Sequence, residues 1–328
     1  MEPESIQKQF FTYLKSTLPK HVSLADSMGD ILDLSQDSVY RRIRGEKPLT
    51  LDEIRLLCEH FHVSLDQVLQ IRNSTVVFQA PGLENHTNDF IVYLKGLLNW
   101  MNNINSHEKR EMFYLSKDVP VFHFFHYPEL AAFKSFFWKK SIINHPDYKD
   151  SVFTLDHFTQ KEEFALGQSL IKAYNELPST EIWNMECINS TVRQIEYYRD
   201  AGLFANSADV AVVLESYEKT LSHIKLQVDK GRKFMQGMGE AAYRAPLKLY
   251  INELILGNNT ILVEINGRKL SFITYNVLDY MHTGDPRFSE IVFNSFHAMA
   301  SRSTLISETG ERERNRFFNS LRKAVMEK

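Results

Sequence analysis

Residues 35–47, Ser-Gln-Asp-Ser-Val-Tyr-Arg-Arg-Ile-Arg-Gly-Glu-Lys, gather side chains able to read a base edge or hold a phosphate. Arginine donates two bonds to guanine O6 and N7, glutamine pairs with adenine N6 and N7, and a carboxylate accepts from cytosine N4. Gln36, Asp37 and Arg41 have these chemistries, and Ser35, Ser38, Tyr40 and Arg42 lie on the same segment. Arg44, Lys47 and backbone N–H groups would fix position on a duplex rather than specify its sequence. Asp37 has a second use, orienting Arg41 through an i,i+4 pair.

Those side chains need a short helix propped from behind. Ser35 is a capping residue, Val39 and Ile43 lie four apart as an apolar anchoring side, and Gly45 ends the run. This leaves Gln36, Asp37, Ser38, Arg41 and Arg42 toward solvent. Upstream, Leu24, Met28, Ile31 and Leu32 recur at helical spacing after a cap at Ser23. Gly29 is small enough for a close helix crossing, Asp33 suits a tight turn with left-handed backbone, and Leu34 would plug that turn into the core. Downstream, Thr50-Leu-Asp-Glu53 and Ser64-Leu-Asp-Gln67 are capping boxes. They open stripes of Ile54, Leu57, Cys58 and Phe61, then Leu65, Val68 and Leu69. With the amphipathic run Phe10, Phe11, Leu14 and Leu18, the expectation is five helices within residues 1–72.

On these residues, 22–71 resembles a Cro/C1-type (xenobiotic-response-element type) helix-turn-helix domain. The resemblance runs through Gly29, Leu34-Ser35 at the turn exit, Val39, Gly45 and Ser64-Leu65. The chain departs from the family at Gly29, where alanine is more usual, and at Asp33, where the turn is usually glycine. It departs again at Arg42, where many members place a hydrophobic residue. The resemblance implies that Gln36, Asp37 and Arg41 meet base edges of double-stranded DNA, while Lys47 and helix ends approach phosphates. A small reader with only a local basic patch should have modest affinity per domain, which argues for a homodimer on paired half-sites.

Charge excludes a bulk polyanion binder. The whole chain carries a net −3, and residues 1–72 hold 9 basic against 11 acidic residues. A length of 328 residues implies two or three domains, and 43% hydrophobic residues suffices for a sizeable core. Cys58 and Cys187 have no companions at metal or disulfide spacing. No run approaches a membrane span, and the start Met-Glu-Pro-Glu lacks signal-peptide features, so a cytoplasmic location is expected.

A boundary is expected near Asn73. Thr75–Gln79 reads as a strand, Pro81-Gly82 as a break, and Phe90, Tyr93, Leu94, Leu97, Leu98 and Met101 as a helix stripe. Met112–Ser116 and Pro120–Phe125 read as strands about a Lys117-Asp118 turn. Phe122–Trp138 is unusually aromatic. One reading is an effector pocket using Phe122, Phe124, Phe137 and Trp138, with His123 and His126 as polar contacts. The plainer reading is a strand and helix packed into a core. On a strand, His123 and His126 would face opposite ways, so no metal site is expected.

Val210, Leu214, Tyr217, Leu221, Ile224 and Val228 form a heptad seam, either a dimer contact or the inner edge of a bundle helix. Helices at 161–175 and 189–204 would lie beside it. Gly231, Gly237 and Gly239 suggest a hinge, with a sub-boundary near 231–245. Asn266-Gly267 joins Ile261–Ile265 to Leu270–Thr274 as a hairpin, and Gly257-Asn258-Asn259 would turn an earlier strand into it. Asp285-Pro286 opens a helix with Phe288, Ile291, Val292, Phe296 and Met299 as its stripe. A last helix, 311–328, carries Phe317, Phe318, Leu321 and Val325.

No catalytic motif, phosphate loop or dinucleotide fingerprint is present, and no enzyme activity or cofactor is expected. The expected fold is mainly α with a smaller β part: a helix-turn-helix domain over 1–72 and a mixed α/β region over 73–328. The expected function is sequence-specific transcriptional regulation, with a C-terminal region that dimerises, senses a small-molecule or protein effector, or does both. The alternative is an antitoxin-like or phage-associated factor whose large domain grips a partner protein.

Overall fold

The computed structural model describes residues 5–18, 22–61, 63, 65, 75–80, 90–155, 161–242, 244–253, 257–275 and 278–326. The chain divides into two compact units, 1–77 and 78–328. It is mainly helical, with one seven-stranded sheet in the second unit.

The first unit contains α1 (Ile6–Thr17), α2 (Leu24–Leu32), α3 (Gln36–Ile43) and α4 (Leu51–Phe61). The start of each helix follows from local chemistry. Ser5, Ser23 and Ser35 accept bonds from the third-position N–H of α1, α2 and α3. Thr50 and Glu53 close a reciprocal capping box on α4, at 3.2 and 2.9 Å. Asp33 takes the left-handed turn after α2 at φ 50°, and Gly45 follows α3 at φ 81°. Phe10, Phe11, Leu14, Met28, Val39 and Leu57 bury their side chains in one core. Each large aliphatic among them is worth about 1.5–3 kcal/mol of transfer free energy. Gly29 is not required by a close helix crossing, since an added Cβ would meet only the Leu34 carbonyl, at 3.4 Å. The expected box Ser64–Gln67, with Val68 and Leu69, lies outside the described residues, as does Pro81-Gly82.

The second unit orders its strands β6-β5-β4-β1-β2-β3-β7. These are β1 (Arg110–Leu115), β2 (Ser179–Trp183), β3 (Leu247–Ile251), β4 (Thr260–Ile265), β5 (Arg268–Thr274), β6 (Tyr280–Thr283) and β7 (Thr304–Leu305). β1, β2 and β3 run parallel, and the remaining pairs are antiparallel. Parallel neighbours need helical crossovers. α6 (Pro128–Phe137) and α7 (Lys161–Asn175) join β1 to β2, while α8 (Asn189–Asp200) and α9 (Ala208–Lys230) join β2 to β3. α5 (Phe90–Asn105) precedes the sheet, and α10 (Pro286–Ala300) and α11 (Glu311–Met326) follow β6 and β7. Alternation along β1 separates the two faces. Met112 and Tyr114 enter the large core, while Phe113 packs on Phe293 and Phe296 of α10.

Several expectations need correction. Thr75–Gln79 makes only an isolated bridge, Gln79 to His282, rather than a strand. Val121–Phe125 is a 3-10 turn rather than a strand, with Phe122, His123, Phe124 and Phe125 buried in succession. Gly257–Asn259 does not turn β3 into a neighbour, since β1 and β2 lie between β3 and β4. The stripe on α10 is rotated: Phe293 and Phe296 are buried, and Ile291 is 68% exposed. The heptad seam is internal. Tyr217, Leu221 and Ile224 are fully buried and Leu214 packs against the same core. α11 covers α9 with Phe317, Phe318, Leu321 and Val325, and Arg314–Asp229 and Arg322–Glu218 ion pairs at 2.5 Å flank the contact. The expected hinge is pinned too. Gly231 caps α9 at φ 59°, and Lys233 is buried with backbone bonds to Ala245 and Arg244.

Candidate functional site

α3 presents the candidate nucleic-acid face. Tyr40 is 46% exposed, and the Arg41 side chain 54%. Gln36, Asp37 and Lys47 are also exposed, and Ser38 is half-buried. Ser35 caps the helix and bonds Ser38 Oγ at 3.1 Å. The Gln36 amide donates to Asp26 Oδ1 at 2.6 Å, so α2 fixes its direction.

Arg42 is the exception. It is 3% exposed and forks onto Glu53 of α4 at 2.6 and 3.2 Å, with a third bond to the Ser38 carbonyl. The expectation that Arg42 faces solvent is therefore corrected. It stands three residues after Val39 and belongs to the anchoring side. Burial pushes the Glu53 carboxyl up, but bonds from Arg42 and the Thr50 N–H and the charges of Arg42 and Lys47 outweigh it, and the net shift is downward.

Arg41 pairs at 3.8 Å with Glu46, not with Asp37, and Arg44 forks onto the same carboxylate at 2.6 and 3.1 Å. Glu46 therefore sits where a duplex would compete for both guanidinium groups. Gln7 of α1 was not singled out by sequence. Its amide donates to the Arg42 and Lys47 carbonyls at 2.7 and 2.8 Å and accepts from the Leu49 N–H at 2.9 Å. This clamps the turn carrying Arg44 and Lys47. No local pattern marks Gln7, because its partners lie 35 to 42 residues away.

Residues 15–95 match the family model of the BetR domain. That family is helix-turn-helix-like and DNA-binding, so the match points to a DNA-binding regulatory role. No curated protein and no solved structure matches the chain.

The second unit contains a cavity of about 140 Å³. α5 contributes Tyr93, Trp100 and Ile104, the sheet contributes Tyr114, Ile261, Phe272 and Tyr280, and Phe122, Phe124 and Trp138 complete the apolar wall. Three of the four aromatic residues expected at a pocket thus line it. Phe137 does not, because it turns toward Tyr198, at a ring distance of 5.7 Å.

Lys134 enters the same wall and is 3% exposed. Its ammonium donates to Gln194 Oε1 at 2.7 Å and Thr191 Oγ1 at 3.3 Å, and lies 4.3 Å from the Phe124 ring centre and 5.0 Å from that of Trp138. Burial pulls its pKa down to about 7, with Asp118 opposing. Among the described residues no carboxylate pairs with it. The signal was present in Leu130–Trp138, Leu-Ala-Ala-Phe-Lys-Ser-Phe-Phe-Trp, where Lys134 is the one charge in an apolar run.

His123 and His126 share a side, since residues three apart eclipse on a 3-10 turn. Their rings stack at 5.7 Å, and His223 lies 4.5 Å from His126. Burial drives His126 down to about 3 and His123 well below its ordinary value. No metal-holding group of three occurs among the described residues. A second buried polar group joins β2 to α7: Glu181 accepts from Tyr174 Oη, Ser179 Oγ and Trp183 Nε1 at 2.5, 2.7 and 3.0 Å, with Lys233 at 3.9 Å.

No helix among the described residues is long and apolar enough to cross a membrane.

Proposed function

We propose that this chain is a sequence-specific transcriptional regulator of Cro/C1 helix-turn-helix type that senses a small-molecule effector in its second unit. The observation carrying the DNA-reading half is the two-sided build of α3. Val39 and the Arg42–Glu53 pair hold it from behind, and Gln36, Asp37, Tyr40 and Arg41 face outward. The first turn of such a helix, with Gln36 and Asp37, enters the major groove and Arg41 reaches a guanine, while Arg44 and Lys47 grip phosphates. The match of residues 15–95 to a DNA-binding family supports the same reading. The sensing half rests on the cavity and on its single buried ammonium.

The reading is tested by selecting bound genomic fragments with wild type, Arg41→Ala and Gln36→Ala. Each substitution should cost about 1–3 kcal/mol against the selected site and relax preference at one base position. Unchanged affinity and preference in both variants would remove the contact assignment. The α9 seam is filled by the chain's own core and so supplies no support for a homodimer. Half-site spacing in the selected fragments will report the stoichiometry directly.

A further inference from the structure

We propose that the cavity between α5, the end of α6 and the β4–β5–β6 side of the sheet is a binding site for a small apolar monocarboxylate, whose anionic end is received by Lys134. The inference deepens the sensing half of the regulatory reading and rests on that reading only for its biological consequence.

Three observations carry it. The volume, about 140 Å³, is that of a cavity known to take one benzene ring, about 150 Å³. The walls supply faces and edges for such a ring, from Trp100, Phe122, Phe272 and Tyr280. At one end, Lys134 and Gln194 converge with Ser190. An ammonium has three donors, and two of those on Lys134 have neutral acceptors, Gln194 and Thr191.

The sign of the ligand follows from the direct partners of Lys134, which are neutral, while Asp118 in the same wall acts on the ammonium without an ion pair. A buried cation costs free energy unless it is closely paired, and a bound carboxylate would supply that direct pairing as a charge-assisted hydrogen bond. A neutral ligand leaves that cost in place, and an amine adds to it. Asp118 is half-buried and also lines the cavity, so an amine has a competing site there. Amine binding is accordingly one arm of the test. The other titratable wall groups, Tyr93, Tyr114 and Tyr280, are pushed up by burial and remain neutral phenols.

The full chain is titrated calorimetrically, without DNA, with phenylacetate, its isostere phenylacetamide, and phenethylamine. Phenylacetate should bind at least about tenfold tighter than phenylacetamide, the worth of one charged hydrogen bond. At pH 7.5 its binding should take up protons, read as a buffer-dependent heat, because Lys134 is partly neutral before the ligand arrives. Lys134→Met should bring acid and amide to equal affinity and remove the proton uptake. Ile104→Trp, which fills the cavity, should abolish binding of both and decides the site even where Lys134→Met does not fold.

Equal affinities in wild type, preference for the amine, no binding of any of the three, or an acid preference surviving Lys134→Met would each overturn the proposal. Operator binding is measured separately without ligand. A chain that reads DNA but ignores phenylacetate loses only this inference, and one that binds phenylacetate but no DNA loses only the regulatory reading.

Discussion

Arg41, Arg42 and Arg44 are three arginines within four residues with three different tasks. Arg41 faces outward, Arg42 is buried against Glu53, and Arg44 is held by Glu46 beside the turn. Removing the Glu46 charge should release Arg44 to a phosphate and free Arg41 for the groove. Glu46→Gln is therefore expected to tighten DNA binding severalfold at low salt and to steepen the salt dependence by about one counterion. An unchanged slope in a salt titration would refute the competition. Arg42→Ala should instead lower the stability of the first unit by about 3 kcal/mol, the low end for breaking a buried pair, read from urea unfolding. The Glu53 contribution has a defined sign. Its folded pKa is depressed, so the stabilisation is whole above the unperturbed value of about 4.3 and is lost as pH falls through the folded value. Lys134 has the same sign in a higher pH window, because its pKa too is depressed by folding. Its folded pKa, about 7, lies below the unfolded value, so the unfolded chain binds more protons between the two. Stability should rise with pH from about 7 toward 10.4, and Lys134→Met should flatten that slope. Residue type could not separate Arg41 from Arg42. Their position could, because Arg42 stands three residues after Val39, on the anchoring side of α3.

Helices whose ends are written in local chemistry were legible as elements. Ser23, Ser35, Thr50 with Glu53, and Asp285 with Pro286 all cap as their types require. The Asn266-Gly267 hairpin was legible for the same reason, with φ of 50° and 83°. One element left two readings open and another misled. The α9 seam has coiled-coil spacing, but spacing reports only that one edge is buried, not what buries it. Leu221→Ala should therefore cost about 2–5 kcal/mol in an unfolding titration, without a change in sedimentation of the folded species. Val121–Phe125 read as a strand because aromatic residues favour sheets, yet burial on every side suits a turn as well. At Gly231 the left-handed backbone alone makes alanine cost about 1–2 kcal/mol, and the added Cβ would collide with the Glu308 side chain. Gly231→Ala should lower the melting temperature of the second unit.

Across the whole molecule, the two units have separate cores, one of first-unit helices and one about the sheet. If the cavity ligand is an effector, linkage is reciprocal: the factor by which phenylacetate changes operator affinity must equal the factor by which operator changes phenylacetate affinity. Paired titrations measure both, and unequal factors would show that the two effects do not belong to one equilibrium. The cavity itself draws on α5, α6, α8 and four strands, β1, β4, β5 and β6. Its aromatic wall was partly visible in Phe122, Phe124 and Trp138. The contributions of Trp100, Ile261 and Tyr280 were not, because strand order and long-range pairing bring them together.

What the sequence determined alone is the set of short-range commitments: capped helices, the tight turn at Asp33, the hairpin and the outward chemistry of Gln36 and Arg41. These depend on interactions within a few residues, and residue type and spacing carry them. Tertiary structure decided the rest. It made Arg42 an anchor, gave the α9 seam to the internal core, separated β3 from β4, and closed aromatic walls around Lys134. Each of these depends on which distant side chain or strand arrives alongside, and helical or strand periodicity contains no record of that partner.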